Sequence, residues 1–453
     1  MVTYLFRRLW GNPSHMKYVA SALRERYSEE RIHILVAKRN SGNFTYDGIE
    51  LGGERVTHEI EETLEELARN GHEIRKISVI GYSMGGLVAR YVIGLLYSKG
   101  WFDKLEPVNF TTFATPHLGA RNPLLGFYSH IRNLIGARTL SMSGRQLFTI
   151  DSFRDTGRPI LSVLADPDSI FIRGLRRFKN KSLYANVIND RTAVYYTTGI
   201  SRTDPYRNIA DLKINYVKGY DPVIINPDDP ISPPGNPEEL PTFYYRIADR
   251  SQTVVKNILI YSVLVLLIPI GTIVFLINSV VQSIRSSRRI RLHEEGKAGV
   301  GIGSYRIQPI VGNIQSIVEG VFDDLNRSQD SEYLPAGMEE HGDHLTSSSE
   351  TIGAPSSRPP PRTCSLGSEV KPNILQETRQ LPQHRQLEFP TLPLSPHQLA
   401  MIQTLDSVGF RKYPVYIHKA RHSHAAIIVR KPRKNFDEGK VVMRHWLDNE
   451  FEI

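Results

Sequence analysis

The chain has 453 residues, 40% of them apolar, and a formal net charge of +9. This length and apolar content predict one large folded domain with additional segments. The single cysteine, Cys364, excludes an intrachain disulfide framework. The basic residues are not interleaved with aromatic residues as on nucleic-acid-binding surfaces. We therefore expect contact with an anionic membrane and no nucleic-acid partner.

Helix-like and strand-like segments alternate along the N-terminal part of the sequence. The periodicity predicts helices over 12–26, 57–70 and 84–98, and strands over 32–37, 77–80, 110–114 and 183–188. After a long interval, two further strands are predicted over 414–418 and 425–429. This alternation is typical of an α/β fold with a mostly parallel central sheet and helices on both faces.

Two segments between these parts do not fit the sheet pattern. A nearly continuous apolar run covers 258–277 and is long enough to span a bilayer. Residues 326–394 are rich in Ser, Pro, Glu and Gln, which predicts a disordered loop inserted before the last strands. The predicted organisation is a main domain, a membrane-inserting segment, a basic and amphipathic linker, the loop, and a C-terminal part that completes the domain: 1–250, 254–284, 285–325, 326–394 and 395–453.

The pentapeptide Gly81-Tyr-Ser-Met-Gly85 follows a short apolar run and precedes a helix-like segment. This is the pattern of a nucleophile elbow, in which a serine at a strained strand-to-helix turn is lifted above the sheet. Glycines two residues to either side are needed because a Cβ there would collide with the neighbouring strand or helix. The context and the additional Gly86 favour Ser83 as a nucleophile over an ordinary glycine turn.

A serine nucleophile needs an imidazole base that is oriented by a carboxylate. In the fold indicated here the acid follows the serine, and the histidine comes last. Asp190 closes the strand predicted over 183–188, at the sheet edge where sites form. Asp221 is the alternative acid if Asp190 only caps a loop.

The base is expected among three histidines near the C-terminus. His424 follows a polar turn and directly precedes an apolar run, so it is the favoured base, and His422 is the alternative. His418 alternates within a predicted strand, which favours a structural role. His117 precedes the acid in the sequence and is interpreted as a hydrogen-bonded loop histidine.

An acyl-transfer site also needs two backbone N–H groups that stabilise the charge developing on the carbonyl oxygen. One donor is predicted at Met84, directly after the nucleophile. The other is predicted at Leu9, in the loop that begins there and ends at Pro13.

Six motifs occur together in the N-terminal part of this sequence. They are Leu9-Trp-Gly-Asn-Pro-Ser-His15, Ala37-Lys-Arg-Asn-Ser-Gly-Asn-Phe-Thr-Tyr-Asp-Gly-Ile49, Gly52-Gly-Glu-Arg55, Gly81-Tyr-Ser-Met-Gly-Gly86, Phe113-Ala-Thr-Pro-His-Leu-Gly119 and Tyr184-Ala-Asn-Val-Ile-Asn-Asp190. Together they resemble the fungal putative serine esterases, which include lipid-droplet phospholipases and monoacylglycerol-lipase-like enzymes. The resemblance is close over 9–200 and looser over 424–430 and 445–446.

This resemblance implies an α/β-hydrolase fold with Ser83 as nucleophile, Asp190 as acid and His424 as base. It further implies hydrolysis of glycerolipid acyl esters without a metal or another cofactor. One pair of residues departs from the family pattern, because Arg7 and Arg8 stand where the family has His-Gly. A glycine lets the backbone approach the oxyanion, so Arg8 is expected to impair hydrolysis. The preceding strand also lacks upstream apolar residues, which predicts a truncated reading frame.

The apolar segment separates the serine and the acid from every candidate base. A single membrane crossing would therefore place Ser83 and His424 on opposite sides of the membrane. Because Pro269 breaks a helix and Gly271 permits a reversal, we predict that 254–284 forms a hairpin that enters one leaflet and returns. Such a hairpin suits a lipid-droplet monolayer and keeps both basic flanks in the cytosol.

These features predict a serine lipase or esterase acting on phospholipid or monoacylglycerol. Its expected location is the cytosolic face of a lipid droplet or of the endoplasmic-reticulum membrane. Two alternatives remain at this point. The departure at Arg7 and Arg8 and the long loop favour a membrane-anchored scaffold with impaired catalysis. A thioesterase that removes protein lipid anchors would use the same catalytic residues.

Overall fold

The computed structural model describes residues 1–6, 13–120, 139–190, 192–207, 209, 212–232, 258–297 and 392–453. Side chains are described for the same residues except 13 and 258–271. Arg7, Arg8 and Leu9 lie outside the described residues, as does most of the predicted loop over 326–394.

The described part of the chain contains a six-stranded parallel sheet in the order β2-β1-β3-β4-β5-β8, and β6 and β7 form a separate antiparallel pair. The strands are β1 (Val2–Phe6), β2 (His33–Val36), β3 (Lys76–Tyr82), β4 (Glu106–Phe113), β5 (Asn180–Asn186), β6 (Lys213–Ile214), β7 (Ile231–Ser232) and β8 (Arg411–Val415). This sheet confirms the predicted α/β fold.

Helices cover both faces of this sheet. The helices are α1 (Lys17–Arg26), α2 (Gly48–Arg69), α3 (Met84–Ser98), α4 (Trp101–Lys104), α5 (Ser141–Leu147), α6 (Ile160–Leu164), α7 (Ile170–Arg176), α8 (Tyr195–Thr198), α9 (Ile258–Glu294), α10 (Pro396–Ser407), α11 (Ser423–Ala426) and α12 (Glu438–Asn449). Successive strand residues point to opposite faces. In β1, Tyr4 therefore joins the core under α2, α3 and α7, whereas Leu5 joins the core under α1 and α12.

Two local predictions near the ends of the sheet are wrong. Residues 2–6 form the fully buried strand β1, paired with both β2 and β3, so this strand does not lack apolar residues. The strand predicted over 425–429 is instead the end of α11 and a turn, because Val429 has a φ of 49°. A short apolar run that is buried on all sides has the same pattern in a helical turn as in a strand.

The apolar segment forms one continuous helix, so the predicted reversal at Pro269 and Gly271 is wrong. A helix-interior proline costs roughly 3 kcal/mol and a glycine roughly 1 kcal/mol. The cooperative hydrogen bonding of a 37-residue helix can offset such local costs. Within the part of the chain that the structure describes, we find no helix with the length and apolar character required to cross a membrane.

The C-terminal end of α9 is fixed to the main domain by polar contacts. Ser286 donates a hydrogen bond to the Tyr46 carbonyl oxygen at 3.2 Å. The Arg289 guanidinium donates to both carboxylate oxygens of buried Asp47, and the His293 ring is hydrogen-bonded to buried Glu54. Because these partners lie in or beside the start of α2, the end of the apolar helix is held against the domain that carries Ser83.

Helix α12 is anchored to the sheet through two side chains. The Tyr184 hydroxyl lies 2.8 Å from His445 Nδ1, and Trp446 Nε1 donates to the Thr111 hydroxyl at 3.0 Å. Burial lowers the pKa of His445 to about 4, so its ring is neutral near pH 7. These contacts fix the helix that packs behind α11, where His424 lies.

Candidate active site

Ser83 lies in a strained turn between β3 and α3. Its backbone has φ of 56° and ψ of −134°, a region that residues other than glycine rarely adopt. The Ser83 N–H donates to the Phe113 carbonyl oxygen of the neighbouring strand at 2.9 Å. The turn therefore holds the serine at the carboxyl edge of the sheet, in the conformation expected of a nucleophile elbow.

The glycines on either side of Ser83 allow this turn to form. A Cβ on Gly81 would lie 2.4 Å from the Gly86 Cα atom, and a Cβ on Gly86 would lie 2.2 Å from Thr115 Oγ1. Both distances are shorter than non-bonded atoms can tolerate. The strand, the helix and the loop at Thr115 therefore pack too closely for a side chain at either glycine.

These distances predict different consequences for two glycine substitutions. Gly86→Ala is expected to destabilise the fold by about 1–3 kcal/mol and to lower activity, because its methyl group collides with Thr115. Adding Thr115→Ala should restore part of the stability and part of the activity, since the Thr115 hydroxyl has no hydrogen-bond partner among the described residues. Gly81→Ala should not be rescued by Thr115→Ala, because its methyl group meets backbone atoms. Urea unfolding and ester hydrolysis of the single and double variants would test this, and equal rescue of both would contradict it.

The structure brings Ser83, His424 and Asp190 together. His424 Nε2 lies 2.9 Å from Ser83 Oγ, and His424 Nδ1 lies 2.8 Å from Asp190 Oδ2. All three residues are less than a tenth exposed. In this arrangement an imidazole can accept the hydroxyl proton while the carboxylate fixes its orientation.

Several donors hold Asp190 in its ionised form. Its Oδ1 atom accepts hydrogen bonds from the N–H groups of Thr192 and Ala193 at 2.9 and 2.8 Å, and its Oδ2 atom accepts one from the Asn186 amide at 3.0 Å. Burial acts to raise the pKa of Asp190, but the adjacent His424 and these hydrogen bonds hold the pKa below its ordinary value. The ionised carboxylate can therefore accept a hydrogen bond from the protonated Nδ1 of His424.

The short helix α11, which carries His424, is held by three contacts that involve His424, Ser423 and Ala426. The Tyr82 hydroxyl donates to the His424 carbonyl oxygen at 2.7 Å, and the Ser423 hydroxyl donates to the Ile188 carbonyl oxygen at 2.8 Å. A Cβ on Gly439 would lie 1.9 Å from the Ala426 carbonyl oxygen, so α12 packs directly against α11. The only local signal was Tyr82, which stands inside the elbow motif.

The other sequence candidates lie in different surroundings. His418 is 3.3 Å from Glu438 and stacks on Tyr416, and His422 is an exposed residue at the start of α11. Asp221 is exposed and accepts a hydrogen bond from the Gly219 N–H. Neither His418 nor His422 forms the hydrogen bond to Ser83 that His424 forms. Asp221 does not form the hydrogen bond to His424 that Asp190 forms.

His117 is a fully buried loop residue that contacts Thr112. Its Nε2 atom lies 3.0 Å from the Thr112 hydroxyl, and burial lowers its pKa well below the ordinary value. Its ring is therefore neutral. Among the described side chains, no group of three or more His, Cys, Asp or Glu residues is arranged to hold a metal ion.

One of the two expected oxyanion donors lies within the described residues. Met84 is the first residue of α3, where backbone N–H groups have no intrahelical acceptor and the helix dipole is positive. This position directly follows Ser83. Leu9, the other expected donor, lies outside the described residues.

Residues 5–203 match the model of a protein family described as "Putative serine esterase (DUF676)". Over these residues, which make up less than half of the chain, the sequence is similar to the putative serine esterase family. The matched serine esterase region includes Ser83 and Asp190, whereas His424 lies beyond it. The structure shows how the distant histidine reaches the serine, because β8 pairs with β5 and leads the chain back to the same sheet edge.

The chain is also similar to three curated fungal proteins. "Putative lipase ROG1" of Saccharomyces cerevisiae is 32% identical over 216 residues, which are 46% of this chain and 29% of that protein. "Putative lipase C4A8.10" of Schizosaccharomyces pombe is 30% identical over 27% of this chain and 16% of that protein. "Putative lipase YDL109C" of S. cerevisiae is 31% identical over 28% of this chain and 19% of that protein. The similarity thus spans less than a third of each relative's length.

Proposed function

We propose that this protein is a serine hydrolase that cleaves acyl esters of glycerolipids, either phospholipid or monoacylglycerol. The observation that carries this proposal is the continuous hydrogen-bonded chain from Asp190 through His424 to Ser83. The family match to serine esterases and the similarity to proteins named lipases support an ester as the substrate.

In the proposed reaction, Ser83 Oγ attacks the ester carbonyl carbon while His424 Nε2 accepts the hydroxyl proton. The negative charge on the carbonyl oxygen would be stabilised by the N–H groups of Met84 and Leu9. The histidine then gives the proton to the leaving alcohol, and the acyl group stays on the serine. A water molecule, deprotonated by the same histidine, releases the fatty acid and restores Ser83.

The exposed surface of α9 supports action at a lipid surface. Five of its aliphatic side chains are between 58% and 65% exposed: Ile273, Val274, Ile277, Val280 and Ile284. A contiguous exposed apolar surface commonly marks a site of membrane or protein contact. We propose that this helix face lies against a lipid-droplet monolayer or against the cytosolic face of the endoplasmic-reticulum membrane.

The polar contacts at the end of α9 would keep this apolar face close to the catalytic domain. Arg289 is bound to Asp47, which also accepts a hydrogen bond from Arg55 at 2.8 Å. A buried carboxylate shared by two guanidinium groups is costly to separate from them. An interfacial enzyme benefits from such a link because its substrate is presented only at the surface.

The proposal predicts a substrate preference that separates it from the alternatives. The wild-type protein and Ser83→Ala would be assayed for fatty acid release from phospholipid vesicles, from monoacylglycerol emulsions and from an S-acylated peptide. We expect release from at least one glycerolipid, abolished in the variant. Release from the S-acylated peptide alone would replace the proposal with a thioesterase. No release from any substrate by the wild-type protein would favour a scaffold.

A further inference from the structure

A strongly basic groove lies between α1, α12 and the loop that follows α11. Its volume is about 960 Å³, and six of its thirteen lining residues are lysine or arginine. We call it the basic groove, and its cationic residues are Lys17, Arg430, Lys431, Arg433, Lys434 and Lys440. The serine, the histidine and the aspartate described above do not line it.

Few carboxylates line the described part of this groove. Among the described lining residues Asp437 is the one acidic residue, and its carboxylate pairs with Lys440 at 2.7 Å. Lys431, Arg433 and Lys434 are exposed and have no carboxylate within ion-pair distance among the described residues. Lysines and arginines gathered around one depression produce a local positive potential that attracts anions.

The basic groove and the catalytic histidine share one short stretch of chain. The Val429 N–H donates to the Ala426 carbonyl oxygen at 2.9 Å, and the Arg430 N–H donates to that of Ala425 at 3.1 Å. These bonds fold the chain tightly between His424 in α11 and the first residues of the groove. An anionic surface bound by the groove would therefore be held at the side of the domain that carries His424.

We propose that the basic groove binds the phosphate groups of anionic phospholipids in the lipid surface on which the enzyme acts. Lysine and arginine are the usual partners of phosphate oxygens. A nucleic acid is disfavoured because the described residues that line the groove include only two aromatic rings, those of Tyr18 and His15, and so offer few stacking platforms for bases. This inference rests on the proposed function only in its choice of a lipid surface.

The test measures vesicle binding without hydrolysis, using the full chain with Ser83→Ala. This protein is mixed with phosphatidylcholine vesicles that either contain or lack phosphatidic acid, and the bound fraction is measured by flotation. Adding Lys431→Gln and Lys434→Gln should lower binding to the anionic vesicles by roughly 25-fold, because each cation near such a surface contributes about fivefold. The loss should be smaller at high salt.

A matched control removes the same charge elsewhere. Lys213 and Lys218 are exposed lysines outside the groove, and their replacement by glutamine should change binding less than twofold. Equal losses in both double variants would overturn the proposal, since net charge alone would then explain binding. Complete release of the protein from the anionic vesicles by millimolar inorganic phosphate would also overturn the proposal, because it would indicate a site for small anions. A chain that binds vesicles but hydrolyses no ester would refute the proposed function and leave this inference intact.

Discussion

Replacing Ser83 with alanine is expected to lower kcat for ester hydrolysis by roughly 10⁴- to 10⁶-fold. The substitution removes the Oγ atom that lies 2.9 Å from His424 Nε2 and leaves no atom to form the acyl-enzyme. The fold should persist because the Ser83 hydroxyl makes no other hydrogen bond to a described residue, and the elbow is held by the backbone bond to Phe113. Activity would be measured on a short-chain soluble ester and on a lipid emulsion.

Ser162→Ala provides a matched control for this variant. Ser162 is also buried, and within the part of the chain that the structure describes its hydroxyl has no hydrogen-bond partner. Its replacement should leave kcat within about twofold of the wild-type value. A second control combines Ser83→Ala with His424→Ala, which should lower activity no further, because residues that act as one unit are not additive. A double variant far less active than either single variant would indicate that the two residues act separately.

Replacing Asp190 with asparagine should lower kcat by roughly 10⁴-fold, because the substitution favours the wrong tautomer of His424. The N–H groups of Thr192 and Ala193 both point at Oδ1, so the amide oxygen of an asparagine must take that position. The amide NH₂ would then replace Oδ2 and face both His424 Nδ1 and the Asn186 amide donor. His424 Nδ1 would become an acceptor, its proton would move to Nε2, and Nε2 could no longer accept the Ser83 proton.

Two comparisons separate this effect from general damage. Asp221→Asn makes the same chemical change at an exposed carboxylate and should leave activity nearly unchanged. The Asp190→Asn loss should also lie in kcat with little change in KM, since the carboxylate does not contact Ser83 directly. Loss of activity in Asp221→Asn with retention in Asp190→Asn would contradict the assignment of the acid.

Much of the sheet, together with Ser83, Asp190 and His424, could be predicted from short sequence patterns and from the order of these residues along the chain. The glycines of the elbow indicate close packing, because a Cβ on Gly81 would lie only 2.4 Å from the Gly86 Cα atom. Strand-helix alternation predicted the parallel sheet, and chain order limited the acid and the base to a few candidates. The resemblance to serine esterases agrees with the family match over 5–203.

Other features depend on contacts between distant segments, which no short pattern records. The run 425–429 was interpreted as a strand because it is uniformly apolar, but its burial comes from α12 packing through Gly439. Pro269 and Gly271 predicted a reversal because they disfavour helix locally, yet α9 continues through both. Tyr82 and Asn186 support the site through hydrogen bonds to His424 and Asp190, and only the assembled sheet places them there.

The most direct test of the central claim is covalent labelling with a fluorophosphonate, followed by mass spectrometry of the modified peptide. We expect the wild-type protein to carry one adduct on Ser83, and we expect labelling to fall to background in His424→Ala, because the hydroxyl is activated only by that imidazole. Retained labelling of Ser83 in His424→Ala, or an adduct on a different serine in the wild-type protein, would contradict the proposed catalytic site.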